Sequence, residues 1–226
     1  MLIGDPWPRS SLLGKMRRRD REALLSLGTE VTYRARQVMI RQGEEHRHAL
    51  LVLSGSVKVV VNSEYGRDLL MAVRGPGDML GEMAALEAER RSANVVAWVP
   101  TTARVFRGRE FADFMERNPE ACLALARMLS ERLRRVHVRC VDMVVCPAPT
   151  RVVKVLVEIA LTHGRRTADG WRLGVPLTQP DLASLAGVAL STVEKSLRDL
   201  RCQRLLHPGG RHIVITDLDE LRRISG

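Results

Sequence analysis

The chain has 226 residues, enough for one or two domains that each bury a core of their own. Its apolar content of 45% is that of a globular protein, and it has no run of about 18 uncharged apolar residues, so neither a disordered chain nor a membrane span is expected. The net charge of +10 favours polyanionic partners, nucleic acid first. Because residues 1–14 lack a signal-peptide pattern, the predicted location is the cytoplasm.

No motif for metal binding or catalysis stands out. The four cysteines are scattered without a Cys-x-x-Cys pair, so zinc or iron–sulfur ligation is not expected, and buried reduced thiols are the favoured interpretation. The histidines show no metal spacing beyond His46 and His48 in a predicted turn. Walker, Gly-x-Ser-x-Gly and Gly-x-Gly-x-x-Gly motifs are absent from the sequence. We therefore expect a protein without a catalytic site, resident metal or cofactor.

The first elements along the chain are a short helix and then a β-rich region. Residues 15–27 predict an amphipathic helix that ends at Gly28. From residue 30 to 108, runs of Val and Leu alternate with glycine-containing turns about every 8–12 residues, which is typical of a β-sandwich or barrel. Residues 63–66 are the predicted loop of a hairpin.

The pattern becomes helical from Arg109, and residues 118–146 predict one long helix. Apolar positions step alternately by four and three residues, the spacing of a coiled-coil seam. At about 40 Å the helix is long for the core of a small domain and suits a dimer interface, although another face can pack on the chain's own β-domain. The predicted interface residues are Cys122, Ala126, Leu129, Leu133, Val136, Cys140 and Met143.

Two prolines mark a hinge after the long helix. Pro147 and Pro149 must end that helix, and Thr150 is the candidate N-cap of the next one. The predicted domains are a β-domain at 1–116, a dimerisation helix at 117–146 and a C-terminal domain at 147–226.

The C-terminal domain carries the spacing of a helix-turn-helix. Thr178 and Asp181 form a variant capping box that starts the first helix. Small Ala183 permits a close crossing of the two helices, and Gly187 supplies a turn that a β-carbon would hinder. Val193 then fills the angle between the helices.

A β-hairpin wing is predicted after the second helix, which spans about residues 190–202. Lys195 and Arg198 would reach guanine edges or phosphates from that helix, unless they are ordinary solvated charges. The predicted DNA-contacting residues are Thr178, Gln179, Leu190, Ser191, Thr192, Lys195, Arg198 and Arg211.

This order of elements resembles the cyclic AMP receptor protein / fumarate-nitrate regulator (CRP/FNR) superfamily from about residue 20 to 220. The stretches that carry the resemblance are LSGSVKVVV, GPGDMLGEMAAL, RRSANV, RNPE and LTQPDLASLAGVALSTVEKSLRDL. The resemblance implies an α+β fold: an N-terminal cyclic-nucleotide-binding-like β-roll (jelly roll), a long dimerisation helix and a C-terminal winged helix-turn-helix.

The resemblance also implies that residues 81–93 are the phosphate-binding cassette of a cyclic-nucleotide receptor. Arg91 would donate charge-assisted hydrogen bonds to a cyclic phosphate, with Ser92 as a neutral donor and Glu82 accepting from the ribose 2′-hydroxyl. The alternative is a Glu82–Arg91 salt bridge with no ligand. The implied effector-binding residues are Met71, Gly81, Glu82, Met83, Arg91, Ser92, Arg132, Val136 and His137.

Two departures from the family pattern concern specificity. Val136 and His137 stand where cyclic AMP receptors have hydroxyl side chains that meet the base, so the effector is cyclic AMP bound differently, cyclic GMP, a cyclic dinucleotide or none. Leu190, Ser191 and Lys195 stand where the best-known receptor has an Arg-Glu pair and a further Arg, so a different operator is expected.

The function implied is that of a homodimeric transcription regulator controlled by a cyclic nucleotide, cyclic AMP first. The ligand would bias the hinge region at about 140–150 so that two reading helices lie about 34 Å apart on a palindromic operator. RNA polymerase is a further implied partner. The alternative is a regulator of the same fold that binds DNA without a cyclic mononucleotide, through a constitutive, cyclic-dinucleotide or Cys140 thiol switch.

Overall fold

The computed structural model describes residues 7–64, 66, 68–87, 89–207 and 213–226. The chain divides into two compact units, Met1–Arg134 and Arg135–Gly226, and the division lies inside the longest helix. Among the described helices, none combines the length and the apolar character needed to cross a bilayer.

The first unit is built on two four-stranded antiparallel sheets. One sheet has the order β1-β8-β3-β6 and the other has the order β2-β7-β4-β5. Eight strands in two stacked sheets form the predicted β-roll. The strands are β1 (Thr29–Tyr33), β2 (Val38–Ile40), β3 (Ala49–Ser54), β4 (Val57–Asn62), β5 (Asp68–Arg74), β6 (Met79–Leu80), β7 (Asn94–Ala97) and β8 (Thr101–Phe106).

Strand β3 shows how the first unit makes its core, because it is buried on both faces. Leu50 and Val52 belong to the apolar cluster between the sheets, whereas Ala49 and Leu51 belong to the cluster under the helices. Successive side chains of a strand point to opposite faces, so an unbroken apolar run fits this double burial. Each fully buried Leu contributes about 1.5–3 kcal/mol.

The helices of the first unit differ from the prediction at the N-terminus. The predicted single helix at 15–27 is wrong in its extent, because Met16 and Arg17 are extended and separate two helices. Ser11 caps the first of these by accepting a hydrogen bond from the Gly14 amide at 3.2 Å. The helices are α1 (Leu12–Lys15), α2 (Arg18–Leu25), α3 (Glu82–Glu87), α4 (Gly108–Arg117) and α5 (Pro119–Val145).

Helix α5 is the predicted long helix, and it spans 27 residues. One face packs on its own β-domain, where Ala121, Leu125 and Met128 join the same apolar cluster as Phe111 and Phe114. Packing of one helix face on the chain's own β-domain, the possibility that the sequence indicates beside a dimer interface, is therefore confirmed.

The described part of the second unit contains the end of α5, four further helices and three short strands. Its sheet has the order β11-β10-β9, and the β9–β10 hairpin and the last helix are additions to the elements that the sequence predicts. The elements are α6 (Ala148–His163), β9 (Gly164–Thr167), β10 (Gly170–Leu173), α7 (Gln179–Ala186), α8 (Leu190–Cys202), β11 (Val214–Ile215) and α9 (Leu218–Ser225).

Two local predictions in and around the second unit are wrong. Helix α6 already begins at Ala148 with Pro147 as its N-cap, so Thr150 is not the cap. Pro149 sits in the first turn, where its missing N–H costs no intrahelical hydrogen bond. The cysteines are not buried: Cys122, Cys140 and Cys202 are exposed and Cys146 is partly exposed.

Candidate functional site

Arg91 is the most deeply buried cation of the predicted cassette, with 3% of its surface exposed. Its Nη1 donates to the carbonyl of Gly81 at 2.9 Å and its Nη2 donates to the carbonyl of His48 at 2.5 Å. Gly81 has φ of +71°, and a β-carbon there would lie 2.4 Å from Nη1, so only glycine fits against the guanidinium. The buried Nε of Arg91 has no hydrogen-bond partner among the described residues.

Glu82 is equally buried, at 5% exposed, and it opens helix α3. Its Oε1 accepts a hydrogen bond from Arg132 Nη1 at 2.7 Å. Arg132 Nη2 also donates to Asp78 Oδ1 at 3.2 Å and to the Met79 carbonyl at 2.9 Å. In the part of the chain that is described, Glu82 is thus paired with Arg132 and not with Arg91, contrary to the salt bridge considered from the sequence.

The electrostatics of the cassette follow from this burial. Burial lowers the pKa of Arg91, and the carboxylates of Glu44 and Glu82 partly oppose that shift. Burial also lowers the pKa of His48, and the Arg91 charge lowers it further. A cation held in a desolvated setting gains more from a bound anion than it would in water. The arrangement suits a small anionic ligand with a hydroxyl group for Glu82.

The other predicted effector-binding residues lie in different places. Ser92 follows Arg91 directly and is exposed, and Met83 on α3 is half-exposed. Met71 is half-exposed on β5, one of the two edge strands of its sheet. Val136 and His137 are exposed residues of α5 within the second unit. The roles of all of them in binding an effector stay predictions.

The predicted helix-turn-helix is present in α7 and α8. The Thr178 hydroxyl accepts from the Asp181 amide at 3.2 Å, and the Asp181 carboxylate accepts from the Thr178 amide at 3.1 Å, which completes the capping box. Gly187 ends α7 in the left-handed conformation with φ of +61°. Ala183 and Val193 are buried between the helices, as their spacing predicts.

Helix α8 separates a buried face from an exposed one. Val193, Leu197 and Leu200 are buried, whereas Lys195 and Arg198 are exposed. The predicted DNA-contacting residues at the starts of α7 and α8 are exposed as well, namely Thr178, Gln179, Leu190 and Ser191. Thr192 is partly buried. The exposed set has the donors and the apolar group that base edges in a major groove require.

The base of the predicted wing is also formed. Leu206 pairs with Ile215, and the His207 amide donates to the Val214 carbonyl at 2.9 Å. Arg211, predicted to contact DNA, lies outside the described residues, as does the rest of 208–212.

Most of the predicted interface residues of α5 are exposed in the described part of the chain. Leu133 is 56% exposed, and Val136 and Met143 are exposed to a similar degree. Cys122, Ala126 and Cys140 are exposed as well, while Leu129 is partly buried against the first unit's core. Ala121, Leu125 and Met128 of the same helix, by contrast, are buried in the first unit.

Comparison with known proteins identifies both units. The family described as cyclic nucleotide-binding domain matches residues 30–118, and the Crp-like helix-turn-helix domain matches residues 150–224. A CRP-like cAMP-activated global transcriptional regulator of Mycobacterium tuberculosis is 28% identical over 80% of this chain and 81% of its own. The cAMP-activated global transcriptional regulator CRP of Salmonella typhimurium is 24% identical over 81% and 87%.

Solved structures share the fold. The c-di-GMP responsive global regulator CLP of Xanthomonas campestris superimposes with a TM-score of 0.76 at 20% identity, over 89% of this chain and all of the other. With the nucleotide-binding domain and the helix-turn-helix both matched, the chain belongs to the CRP/FNR superfamily and is a CRP-like DNA-binding transcription regulator.

Proposed function

We propose that this regulator is a homodimer whose affinity for DNA is controlled by a cyclic nucleotide that binds around Glu82 and Arg91. Cyclic AMP is the leading candidate for this effector. The observation that carries the proposal is the buried Arg91, whose Nε has no partner in the described part of the chain. A buried donor without an acceptor costs about 1–3 kcal/mol, which a ligand phosphate would offset. The names of two relatives describe them as activated by cAMP.

The roles within the cassette follow from charge and hydrogen-bonding capacity. Arg91 carries the positive charge that a cyclic phosphate requires, and Ser92 adds a neutral donor beside it. Glu82, as a carboxylate, accepts from a ribose hydroxyl. Arg132 holds Glu82 in place through its bond of 2.7 Å and is itself held by Asp78. Asp78 is therefore a positioning residue that the sequence did not single out.

The residues that would meet the base of the effector limit its identity less than Glu82 and Arg91 limit the phosphate and ribose. Val136 offers no hydrogen bond to an adenine amino group, while the imidazole of His137 can donate, accept or stack. One structural neighbour is described as responsive to c-di-GMP, which makes that dinucleotide the second candidate effector.

Dimerisation is proposed to run along the α5 seam. A stripe of Leu, Val, Met and Cys exposed on a 27-residue helix costs solvation free energy in a monomer, and a second copy removes that cost. The dimer presents two α8 helices to a palindromic operator, with Lys195 and Arg198 at the DNA. RNA polymerase is a proposed partner, and the cytoplasm, where the bacterial chromosome lies, is the proposed location.

Calorimetric titration of the full chain with cyclic AMP, cyclic GMP and c-di-GMP tests the effector. We expect saturable binding of cyclic AMP, and at 100 times the dissociation constant the ligand stabilises the folded protein by about 2.7 kcal/mol. Saturable binding of c-di-GMP alone would replace cyclic AMP as the effector, and no binding of any of the three would refute the proposal.

Variants of the cassette sharpen that titration. Arg91→Lys keeps the charge but loses the Nε donor and the forked geometry, and Glu82→Gln keeps the shape but loses the carboxylate. Both are expected to weaken binding of the effector at least about tenfold, equivalent to about 1.4 kcal/mol. Arg90→Gln is the control, because Arg90 is the exposed neighbour that pairs with Glu45. Equal affinity in Arg91→Lys and Arg90→Gln would contradict the role of Arg91.

A further inference from the structure

The sheet of the second unit carries a row of basic side chains. Arg165 on β9 stands directly opposite Arg172 on β10, and Arg172 stands opposite Val214 on β11. The amide of His207 bonds the Val214 carbonyl on the far side of β11, so the row continues to His207. Neighbouring strands lie about 4.8 Å apart, which places three basic residues within about 14 Å across the sheet.

This row faces away from the core. Leu173 and Ile215 are buried on the inner face of the same sheet. Side chains alternate along a strand, so Arg172, next to Leu173, points to the outer face, and its cross-strand partner Arg165 points there too. Both arginines and His207 are exposed.

The two arginines form an unfavourable pair as they stand. Like charges directly opposite each other on adjacent strands are destabilising. Over the described residues, neither Arg165 nor Arg172 has an acidic partner within 4.0 Å, whereas Arg139 and Arg223 in the same unit bond Glu158 and Glu220. An anion bound across the pair would remove the repulsion.

We infer that Arg165, Arg172 and His207 form a second phosphate-binding surface for duplex DNA, in addition to the exposed face of α8. The partner is DNA because the row lies in the unit that matches the Crp-like helix-turn-helix domain, and because His207 leads directly into the wing segment that contains Arg211. Contacts to phosphates set affinity and position without reading sequence. The inference rests on the proposed DNA contact by this unit.

Its test is the salt dependence of binding to a fluorescein-labelled duplex of arbitrary sequence, followed by anisotropy. The logarithm of the binding constant falls with the logarithm of salt concentration, with a slope of about −0.9 per phosphate contact. The double variant Arg165→Gln/Arg172→Gln should make the slope shallower by up to about 1.8 per protomer. Arg165→Lys/Arg172→Lys keeps both charges and should retain the wild-type slope.

The control removes the same charge from the other unit. Arg34→Gln/Arg36→Gln replaces two exposed arginines near the β1–β2 turn and should leave the slope unchanged. A wild-type slope in Arg165→Gln/Arg172→Gln, with the far-ultraviolet circular dichroism of the native fold, would overturn the inference and leave the row as a surface for an acidic protein. If the wild-type protein itself showed no salt-dependent binding to DNA, that result would instead refute the DNA-binding function together with this surface.

Discussion

Arg151 reaches from the first turn of α6 to the carbonyl of Gly187, 3.1 Å away, in the turn of the helix-turn-helix. The same guanidinium donates to the carbonyl of Ala186 at 3.1 Å and to that of Cys146, just past the end of α5, at 3.0 Å. One side chain thus ties the end of α5 to the turn between α7 and α8.

Replacing Arg151 should therefore destabilise the second unit. Arg151→Met keeps the aliphatic stem but removes every hydrogen-bond donor. The carbonyls of Ala186, Gly187 and Cys146 then lose their partner, which should lower the free energy of unfolding by about 1–3 kcal/mol. Urea unfolding monitored by circular dichroism measures the change. Arg222→Met, on an exposed side chain of α9, is the control and should stay within about 0.5 kcal/mol of wild type.

Gly187 should tolerate no side chain. Its φ of +61° is a left-handed conformation that costs a residue with a β-carbon about 1–2 kcal/mol, and a Cβ there would approach the Met143 methyl to 3.1 Å. Gly187→Ala is expected to lower the free energy of unfolding by at least that amount. The double variant Gly187→Ala/Met143→Ala separates the two causes when it is compared with Met143→Ala alone, because Met143 also lies in the proposed dimer seam: crowding is relieved in the double variant and backbone strain is not. A double variant as stable as Met143→Ala would contradict the backbone argument.

Lys195 should contribute to specific recognition. It is exposed on the outer face of α8, and if it contacts a base, Lys195→Ala should weaken binding to the operator by about 1–3 kcal/mol while reducing non-specific binding much less. Anisotropy with the selected operator and with a scrambled duplex measures both. Arg201→Ala, in the last turn of the same helix, is the matched control. Unchanged operator affinity would remove Lys195 from the reading set.

Leu133 should be required for the dimer. It is more than half exposed on the α5 seam, and Leu133→Glu would bury two like charges in the proposed interface. A cost of about 3–5 kcal/mol raises the dissociation constant more than about 100-fold, which sedimentation velocity would register as a monomer. Arg127→Glu alters an exposed residue of the same helix outside the seam and should remain dimeric. A dimeric Leu133→Glu protein would exclude the seam.

The stability of the first unit should fall in mild acid because of His48. Burial, and after it the Arg91 charge, hold the pKa of His48 below its ordinary value of 6.5, and the His46 charge lowers it slightly further. A hydrogen bond to the Met39 backbone and the Glu44 charge partly oppose this shift. Between the pKa of His48 in the folded protein and its value of 6.5 in the unfolded chain, the unfolded chain binds more protons than the folded protein. The contribution of His48 to stability is therefore fully present above pH 6.5 and is lost as the pH falls through the folded pKa.

Thermal unfolding over a pH series measures this dependence. His48→Gln should flatten the fall in stability below pH 6.5, whereas His46→Gln keeps both the burial of His48 and the Arg91 contact and should retain most of it. Identical pH profiles for the wild-type protein and His48→Gln would rule out His48 as the source.

Much of the architecture could be predicted because its signals are local. The Thr178–Asp181 capping box, the turn at Gly187 and the burial of Val193 depend on residues within about four helical turns, and all three are confirmed. The Thr150 cap failed for a local reason too, since a proline in a first turn permits a helix to start before it. The sequence does not predict the β9–β10 hairpin, because its arginine-rich strands alternate only weakly between apolar and polar residues.

The sequence by itself determined the order of the β-rich region, the long helix and the helix-turn-helix, and it singled out Glu82 and Arg91 as candidate ligand-binding residues. Only the tertiary structure decided their partners: Glu82 bonds Arg132, 50 residues away, and Arg91 bonds the backbone carbonyls of Gly81 and His48. Spacing along a chain reports helical and strand periodicity, whereas a buried charge is satisfied by whichever group the fold brings within about 3 Å.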